Sequence, residues 1–118
     1  MGLPATQLTP RLHPLWLPAI PGLRSPYSPI GRLLYVGRMF DKIRLHHQCA
    51  LPSDYHPSLG IGLDGRASAF LGVDYPAIVN RVLEGGTDEE ILSWAFQTGV
   101  ARSEHDCMIW SRFMQKLG

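Results

Sequence analysis

The distribution of proline divides the chain into two unlike parts. Seven of its ten prolines lie before residue 32. Proline fixes φ and has no amide donor, so this stretch can form neither a regular helix nor a central strand. We predict an extended arm over residues 1–31 and a folded domain over residues 32–118. The arm is apolar around Trp16, and we expect it to lie against the domain or against a second subunit, because so much exposed apolar surface is unusual.

After the arm, apolar residues recur with helical spacing. Leu33, Val36, Phe40 and Ile43 are three or four positions apart, which predicts a helix from about residue 32 to 48. No segment of the chain alternates apolar and polar residues in the manner of a strand. The sequence therefore predicts an all-α fold, a compact bundle of about five helices with an extended Pro-rich N-terminal arm.

Capping patterns place the ends of the later helices. Thr87 and Glu90 have the spacing of a capping box, in which each side chain accepts from the backbone amide of the other residue. Gly99 is predicted to end that helix in a left-handed conformation. Three further residues are placed to begin helices as N-caps: Asp64, Asp74 and Ser103.

Composition and charge exclude several classes of protein. A chain of 118 residues with 45% hydrophobic residues and a net charge of +1 is typical of one globular domain, not of a disordered or strongly basic nucleic-acid-binding protein. The prolines interrupt the apolar start, so we read no signal peptide and no membrane span, and we expect a cytoplasmic protein with reduced cysteines.

The charges are distributed unevenly along the chain. Up to residue 50 there are six basic residues and one acid, whereas the rest of the chain has five basic residues and nine acids. We expect the two halves to face each other within one fold or across a dimer. The alternative is an anion-binding basic face on the first half.

The predicted helix over 32–48 carries the candidate ligand-binding residues Arg38, Asp41 and Lys42. Asp41 can pair with Arg38 or Arg44, one helical turn away, so a structural ion-pair network is the alternative to a ligand site. Asp64, from the glycine-rich stretch that follows, is the fourth candidate. It could contribute to a pocket, although its position also suits a helix cap.

Two weaker patterns follow this helix. His47, Cys49 and His56 are potential zinc ligands, but no CxxC or HxxxH spacing supports them, and we predict no metal and no cofactor. The glycines at positions 60, 62 and 65 have the spacing of a dinucleotide fingerprint, which requires a preceding strand. A segment containing Pro57 precedes them, so a connecting loop is predicted instead.

Several segments resemble a bacterial family of small proteins defined by a domain of unknown function, DUF5069. They are RSP at 24–26, GRLLYVGRMFDKIR at 31–44, FLGVD at 70–74, TDEEILSW at 87–94 and the closing helix around Trp110. The resemblance covers about residues 24–116, and its most specific part is the helix containing MFDK at 39–42. It implies a compact helical bacterial domain and directs attention to Arg38, Asp41 and Lys42, but it brings no activity with it.

Taken together, the sequence favours a non-catalytic binding or self-assembly module. Its candidate partners are a second copy of the chain, an unknown protein or a small anion, and neither a membrane nor a nucleic acid is expected. The alternative is a small-ligand-binding protein or an enzyme that uses Arg38, Asp41 and Lys42. A concave pocket lined by those residues would favour a ligand, whereas a flat apolar surface would favour assembly.

Overall fold

A computed structural model describes residues 20–117 of the chain, and all regular structure in that range is helical. The elements are α1 (Val36–His47), a 3-10 helix (Ser53–Ser58), α2 (Leu63–Leu71), α3 (Tyr75–Leu83), α4 (Asp88–Thr98) and α5 (Glu104–Leu117). The all-α prediction is confirmed. Residues 1–19, which make up most of the predicted arm, lie outside the described range.

The central element is α1, which packs against both α2 and α3, while α3 also contacts α4. The apolar stripe predicted for α1 is confirmed, since Val36, Phe40 and Ile43 are buried in the main core. Met39 and Leu45 on other sides of the helix are buried as well. A helix that is buried nearly all round must lie in the middle of the bundle.

The first helix begins at Val36, four residues later than predicted. Ile30 and Leu33 exchange two backbone hydrogen bonds of 3.0 Å, which fold residues 30–33 into a tight turn before the helix. Tyr35 then has a positive φ of 76°. Leu33 keeps the helical spacing in the sequence, but its backbone amide and carbonyl are already paired with those of Ile30. The helix therefore starts after this turn.

The last helix is anchored to this turn. The Trp110 indole nitrogen of α5 donates to the Leu34 carbonyl at 2.9 Å. The Ser111 hydroxyl accepts from the Leu34 amide at 3.2 Å and donates to the Arg32 carbonyl at 2.7 Å. These bonds satisfy backbone groups that the turn leaves unpaired, and they fix α5 against the start of α1.

Two of the predicted helix starts are confirmed with their side-chain caps. The Glu90 amide donates to the Thr87 hydroxyl at 3.1 Å, and the Thr87 amide donates to the Glu90 carboxylate at 2.7 Å. Ser103 and Asp106 exchange the same pair of bonds, both at 3.1 Å, at the start of α5. Asp74 does occupy the N-cap position of α3, but its side chain makes no capping bond.

Two capping predictions are wrong. Gly62, not Asp64, is the N-cap of α2, and the Asp64 side chain turns into the protein interior. Gly99 follows α4, but its φ is −103°, which is not left-handed. The glycine is needed for a different reason, because a Cβ at this position would collide with the Leu71 carbonyl oxygen and lie 2.7 Å from the Gly72 carbonyl oxygen.

Within residues 20–117, no helix combines the length and the apolar character needed to cross a lipid bilayer.

Candidate functional site

Three charged residues of α1 belong to two separate networks on different sides of the helix: Asp41 and Arg44 to the first, and Lys42 to the second. In the first, Asp41 accepts from Arg24 Nε at 2.7 Å and from Arg44 at 3.3 Å. Both arginines also pair with Asp88 at the start of α4, each at 2.7 Å. The predicted pair of Asp41 with Arg44 is confirmed, whereas the alternative pair with Arg38 does not form among the described residues.

This first network is neutral and structural. Two arginines face two carboxylates, and Arg24 additionally donates to the Gly37 carbonyl at 3.1 Å. Hydrogen bonding to Asp41 raises the pKa of Arg24, against an opposing effect of burial. Burial raises the pKa of Asp88, but the bonds from Arg24 and Arg44 outweigh it, so this pKa lies below its ordinary value.

The second network is a buried triad of Lys42, Asp64 and Tyr35. The Lys42 ammonium lies 2.9 Å from Asp64 Oδ1 and donates to the Tyr35 hydroxyl at 3.1 Å. The Tyr35 hydroxyl donates to the same carboxylate oxygen, and the Gly60 amide donates to the other oxygen at 3.1 Å. The lysine side chain is 7% exposed and the carboxylate 0%. Such a pair is tolerated in the interior only because these donors satisfy the carboxylate.

Both networks confirm that the oppositely charged halves of the chain face each other within one fold. Arg24 and Arg44 from the basic half pair with Asp88, and Lys42 pairs with Asp64.

Tyr35 is unusual in its backbone and its side chain. Its φ of 76° is rare for a residue with a side chain, and such strain costs about 1–3 kcal/mol. Burial, together with the hydrogen bond to Asp64, raises the pKa of its phenol well above the ordinary value. The phenol is therefore a fixed, protonated donor to Asp64. Strained residues are concentrated at functional sites, which makes this triad the first place to look for one.

An open cleft of about 390 Å³ lies beside the triad, between α1, the 3-10 helix and the start of α2. Its polar wall consists of Tyr35, Arg38, Lys42 and Tyr55. Pro26, Ile61 and Leu63 supply the apolar part of the lining. Of the four candidate ligand residues, Arg38 and Lys42 meet in this cleft, Asp64 lies behind Lys42, and Asp41 belongs to the other network.

Arg38 is the charged residue of the cleft without a countercharge. It donates to the Arg24 carbonyl at 2.9 Å, and its guanidinium carbon lies 6.0 Å from the centre of the Tyr55 ring. Among residues 20–117 it forms no ion pair. A guanidinium with one hydrogen bond and one aromatic neighbour still has donors for a ligand.

The weak metal candidates do not converge. The His56 ring nitrogen lies 2.9 Å from the Leu51 carbonyl oxygen, and its ring packs edge-on against His46 at 4.7 Å. His47 and Cys49 are exposed at the end of α1. In the described part of the chain, no three His, Cys, Asp or Glu side chains are grouped so that they could hold a metal ion.

Sequence reasoning missed Tyr35, Tyr55 and Arg24 as parts of these arrangements. Tyr35 could have been found, because the helix predicted over 32–48 would place it on the same face as Arg38 and Lys42, three and seven positions later. Tyr55 carries no local signal, since a short 3-10 helix brings it to the cleft. Arg24 is 17 positions from Asp41, and no local pattern connects them.

A second surface feature lies on α5. Ile109 and Leu117 are 54% and 53% exposed, and Phe113 between them is partly exposed. These residues are spaced by four and therefore form one stripe along the helix, which we call the α5 stripe. A shallow depression of about 400 Å³, lined by Phe70 and Trp110 among others, lies beside it.

Comparisons with known proteins identify the family. No curated protein sequence and no solved structure matches the chain. The family model described as a domain of unknown function, DUF5069, matches residues 20–118. This range contains α1, both charged networks and the cleft. Because the match spans most of the chain, the protein belongs to the DUF5069 family.

Proposed function

We propose that this protein binds a small organic anion in the cleft beside α1. The observation that carries the proposal is Arg38, a guanidinium that lines a cleft of ligand size without a countercharge among the described residues. Ligand pockets typically have volumes of about 300–1,000 Å³ and combine apolar walls with a few polar groups. The cleft has this composition, with one unbalanced positive charge.

Two further features favour an anion. The Lys42 ammonium has three N–H bonds, of which Asp64 and Tyr35 engage two, so one donor is left on the side chain that lines the cleft. Leu63, the first residue of α2, also lines the cleft, and the N-terminal end of a helix carries a partial positive charge.

The arrangement favours binding over catalysis. The Tyr35 hydroxyl donates a hydrogen bond to Asp64, and the Lys42 ammonium pairs with the same carboxylate. Groups that are fixed in this way position a ligand, whereas acid–base catalysis needs a group that can exchange a proton with the substrate. An enzyme remains the alternative if a bound substrate displaces one of these bonds.

The proposal is tested by nuclear magnetic resonance on the ¹⁵N-labelled full chain. Benzoate, phenyl phosphate and benzenesulfonate are titrated separately, with benzylamine as the cationic control. At least one anion is expected to shift the amide signals of residues 34–43, 55–56 and 58–63, and benzylamine is not.

Two substitutions make this test specific to the cleft. Arg38→Gln is expected to remove the shifts, whereas Arg112→Gln, which removes the same charge from an exposed position on α5, leaves them intact. If no anion perturbs the cleft, or if Arg38→Gln binds as well as the wild type, the proposal is wrong.

Self-association is the second candidate function, and the α5 stripe favours it. Exposed apolar side chains at i, i+4 and i+8 offer a helix face that a second copy of the chain can cover. Light scattering over a range of protein concentrations tests this. The mass is expected to rise towards that of a dimer, and Ile109→Glu is expected to restore the monomer mass. A strictly monomeric wild type would exclude this function.

A further inference from the structure

We infer that the ligand of the cleft is a small monocarboxylate with an apolar, ring-sized body. This inference rests on the proposed function and narrows it to one chemical class. Three properties of the cleft lead to it: its charge balance, the geometry of its free donors and the nature of its remaining walls.

The charge balance of the cleft suits one negative charge. The ammonium of Lys42 is neutralised by Asp64 at 2.9 Å, so Arg38 supplies the net charge of the polar wall. Residues 1–19 contain no Asp or Glu side chain that could neutralise it. A carboxylate carries one charge at neutral pH, whereas a phosphate monoester carries about −1.5 to −2. A phosphate would therefore leave part of its charge unbalanced in a partly apolar cleft.

The geometry of the donors also suits a carboxylate. A guanidinium is a planar fork whose paired N–H bonds match the two oxygens of a carboxylate. The bond from Arg38 Nη1 to the Arg24 carbonyl, at 2.9 Å, uses one donor and restricts the orientation of the fork. The remaining N–H groups of Arg38 can bind a carboxylate in bidentate fashion.

The remaining lining residues of the cleft favour a ligand with an apolar body. Tyr35 and Tyr55 contribute aromatic rings, and Pro26, Ile61 and Leu63 contribute aliphatic surface. The volume of about 390 Å³ lies in the lower part of the range of about 300–1,000 Å³ that is typical of small-ligand pockets. That space accommodates one ring with its acid group. Burying such a ring against these side chains stabilises the complex in proportion to the apolar area removed from water.

The experiment ranks matched probes on the wild-type full chain by the same amide shifts. The probes are benzoate, cyclohexanecarboxylate, phenyl phosphate and acetate, each titrated at pH 7 and constant ionic strength. The two ring carboxylates are expected to bind at least fivefold more tightly than phenyl phosphate and at least tenfold more tightly than acetate.

Variants of Arg38 test the geometric part of the inference. Arg38→Gln is expected to weaken benzoate binding at least tenfold. Arg38→Lys keeps the charge but loses the fork, and it is expected to weaken benzoate and acetate several-fold by about the same factor, because both bind through a carboxylate. Arg112→Gln is the control, and the amide spectrum of each variant reports whether it is folded.

The outcomes separate this inference from the proposed function. If phenyl phosphate binds more tightly than benzoate at the cleft, the carboxylate inference is overturned while anion binding stands. Equal affinities for acetate and benzoate would overturn the inference that the ligand has an apolar body. If none of the anions perturbs the cleft, both the inference and the proposed function are overturned.

Discussion

The substitution Asp64→Asn is expected to lower the free energy of unfolding by roughly 3–5 kcal/mol, because it leaves the buried charge of Lys42 without its partner. The Asp64 side chain is 0% exposed and that of Lys42 7%, so the ammonium loses its only countercharge in a largely buried position. Asparagine also replaces one carboxylate oxygen, an acceptor, by an NH₂ group, a donor. In the wild type the Gly60 amide donates to one of these oxygens at 3.1 Å. A domain of this size has a total stability of about 5–15 kcal/mol, so the variant is expected to be close to unfolding.

A double-mutant cycle isolates the electrostatic part of this effect. Lys42→Met removes the uncompensated charge, so the Asp64→Asn/Lys42→Met protein is expected to recover about 2 kcal/mol or more relative to Asp64→Asn alone. Urea unfolding followed by circular dichroism measures all four proteins, with equal m-values as the condition for comparing them. The matched control is Glu104→Gln, which breaks the ion pair between Glu104 and Arg32. These side chains are 79% and 74% exposed, so the pair contributes at most about 1 kcal/mol to stability.

The reasoning is refuted by either of two results. If Asp64→Asn costs less than about 1 kcal/mol, the carboxylate does not neutralise a buried charge in solution. If the double variant loses as much stability as the two single variants together, Lys42 and Asp64 are not coupled.

Three further changes test other parts of the fold by the same unfolding measurement. Thr87→Ala removes the cap of α4 and is expected to cost about 1 kcal/mol, whereas Thr98→Ala at the other end of the helix is expected to stay within about 0.5 kcal/mol of the wild type. Gly99→Ala is expected to cost roughly 1–3 kcal/mol, because the new Cβ would collide with the Leu71 carbonyl oxygen, and an unchanged stability would contradict that close approach. Asp88 has a lowered pKa in the folded protein, so its contribution is complete above the ordinary value of 3.8 and disappears as the pH falls through the folded value. The stability difference between wild type and Asp88→Asn is therefore expected to shrink between pH 5 and pH 2, and a constant difference would contradict the assignment.

The elements that local patterns encode were predictable from the sequence. The buried stripe of α1 through Phe40 and Ile43 follows from the spacing of apolar residues, and the start of α4 follows from the capping box of Thr87 and Glu90. Both signals act within one or two helical turns, where spacing determines which groups meet. The start of α1 is four residues later than predicted because backbone hydrogen bonds between Ile30 and Leu33 form a turn there. The turn does not alter the apolar spacing in the sequence, so the spacing could not reveal it.

Only part of the candidate site was predictable, and the division has a physical reason. Arg38 and Lys42 were found because they are charges on a single predicted helix. Asp64 is both a candidate ligand residue and a candidate cap, because an acid near a helix start satisfies the capping pattern, while its actual partner Lys42 lies 22 positions away in the chain. The sequence leaves Asp41 open between the ligand group and an ion-pair network, and its pair with Arg44 is observed. Neighbouring helical residues point about 100° apart, which places Asp41 on a different side from Lys42.

The network of Asp41 and Asp88 is linked to the cleft through Arg24. Arg24 is fixed by Asp41 and Asp88, and its carbonyl in turn accepts from Arg38 at 2.9 Å. Pro26, two residues further along, forms part of the cleft wall. The neutral network therefore orients both a wall of the cleft and its free guanidinium before any ligand arrives. A site that is ordered in advance loses less conformational entropy on binding, so under the proposed function we expect the ion pairs around Arg24 to contribute to ligand affinity without touching the ligand.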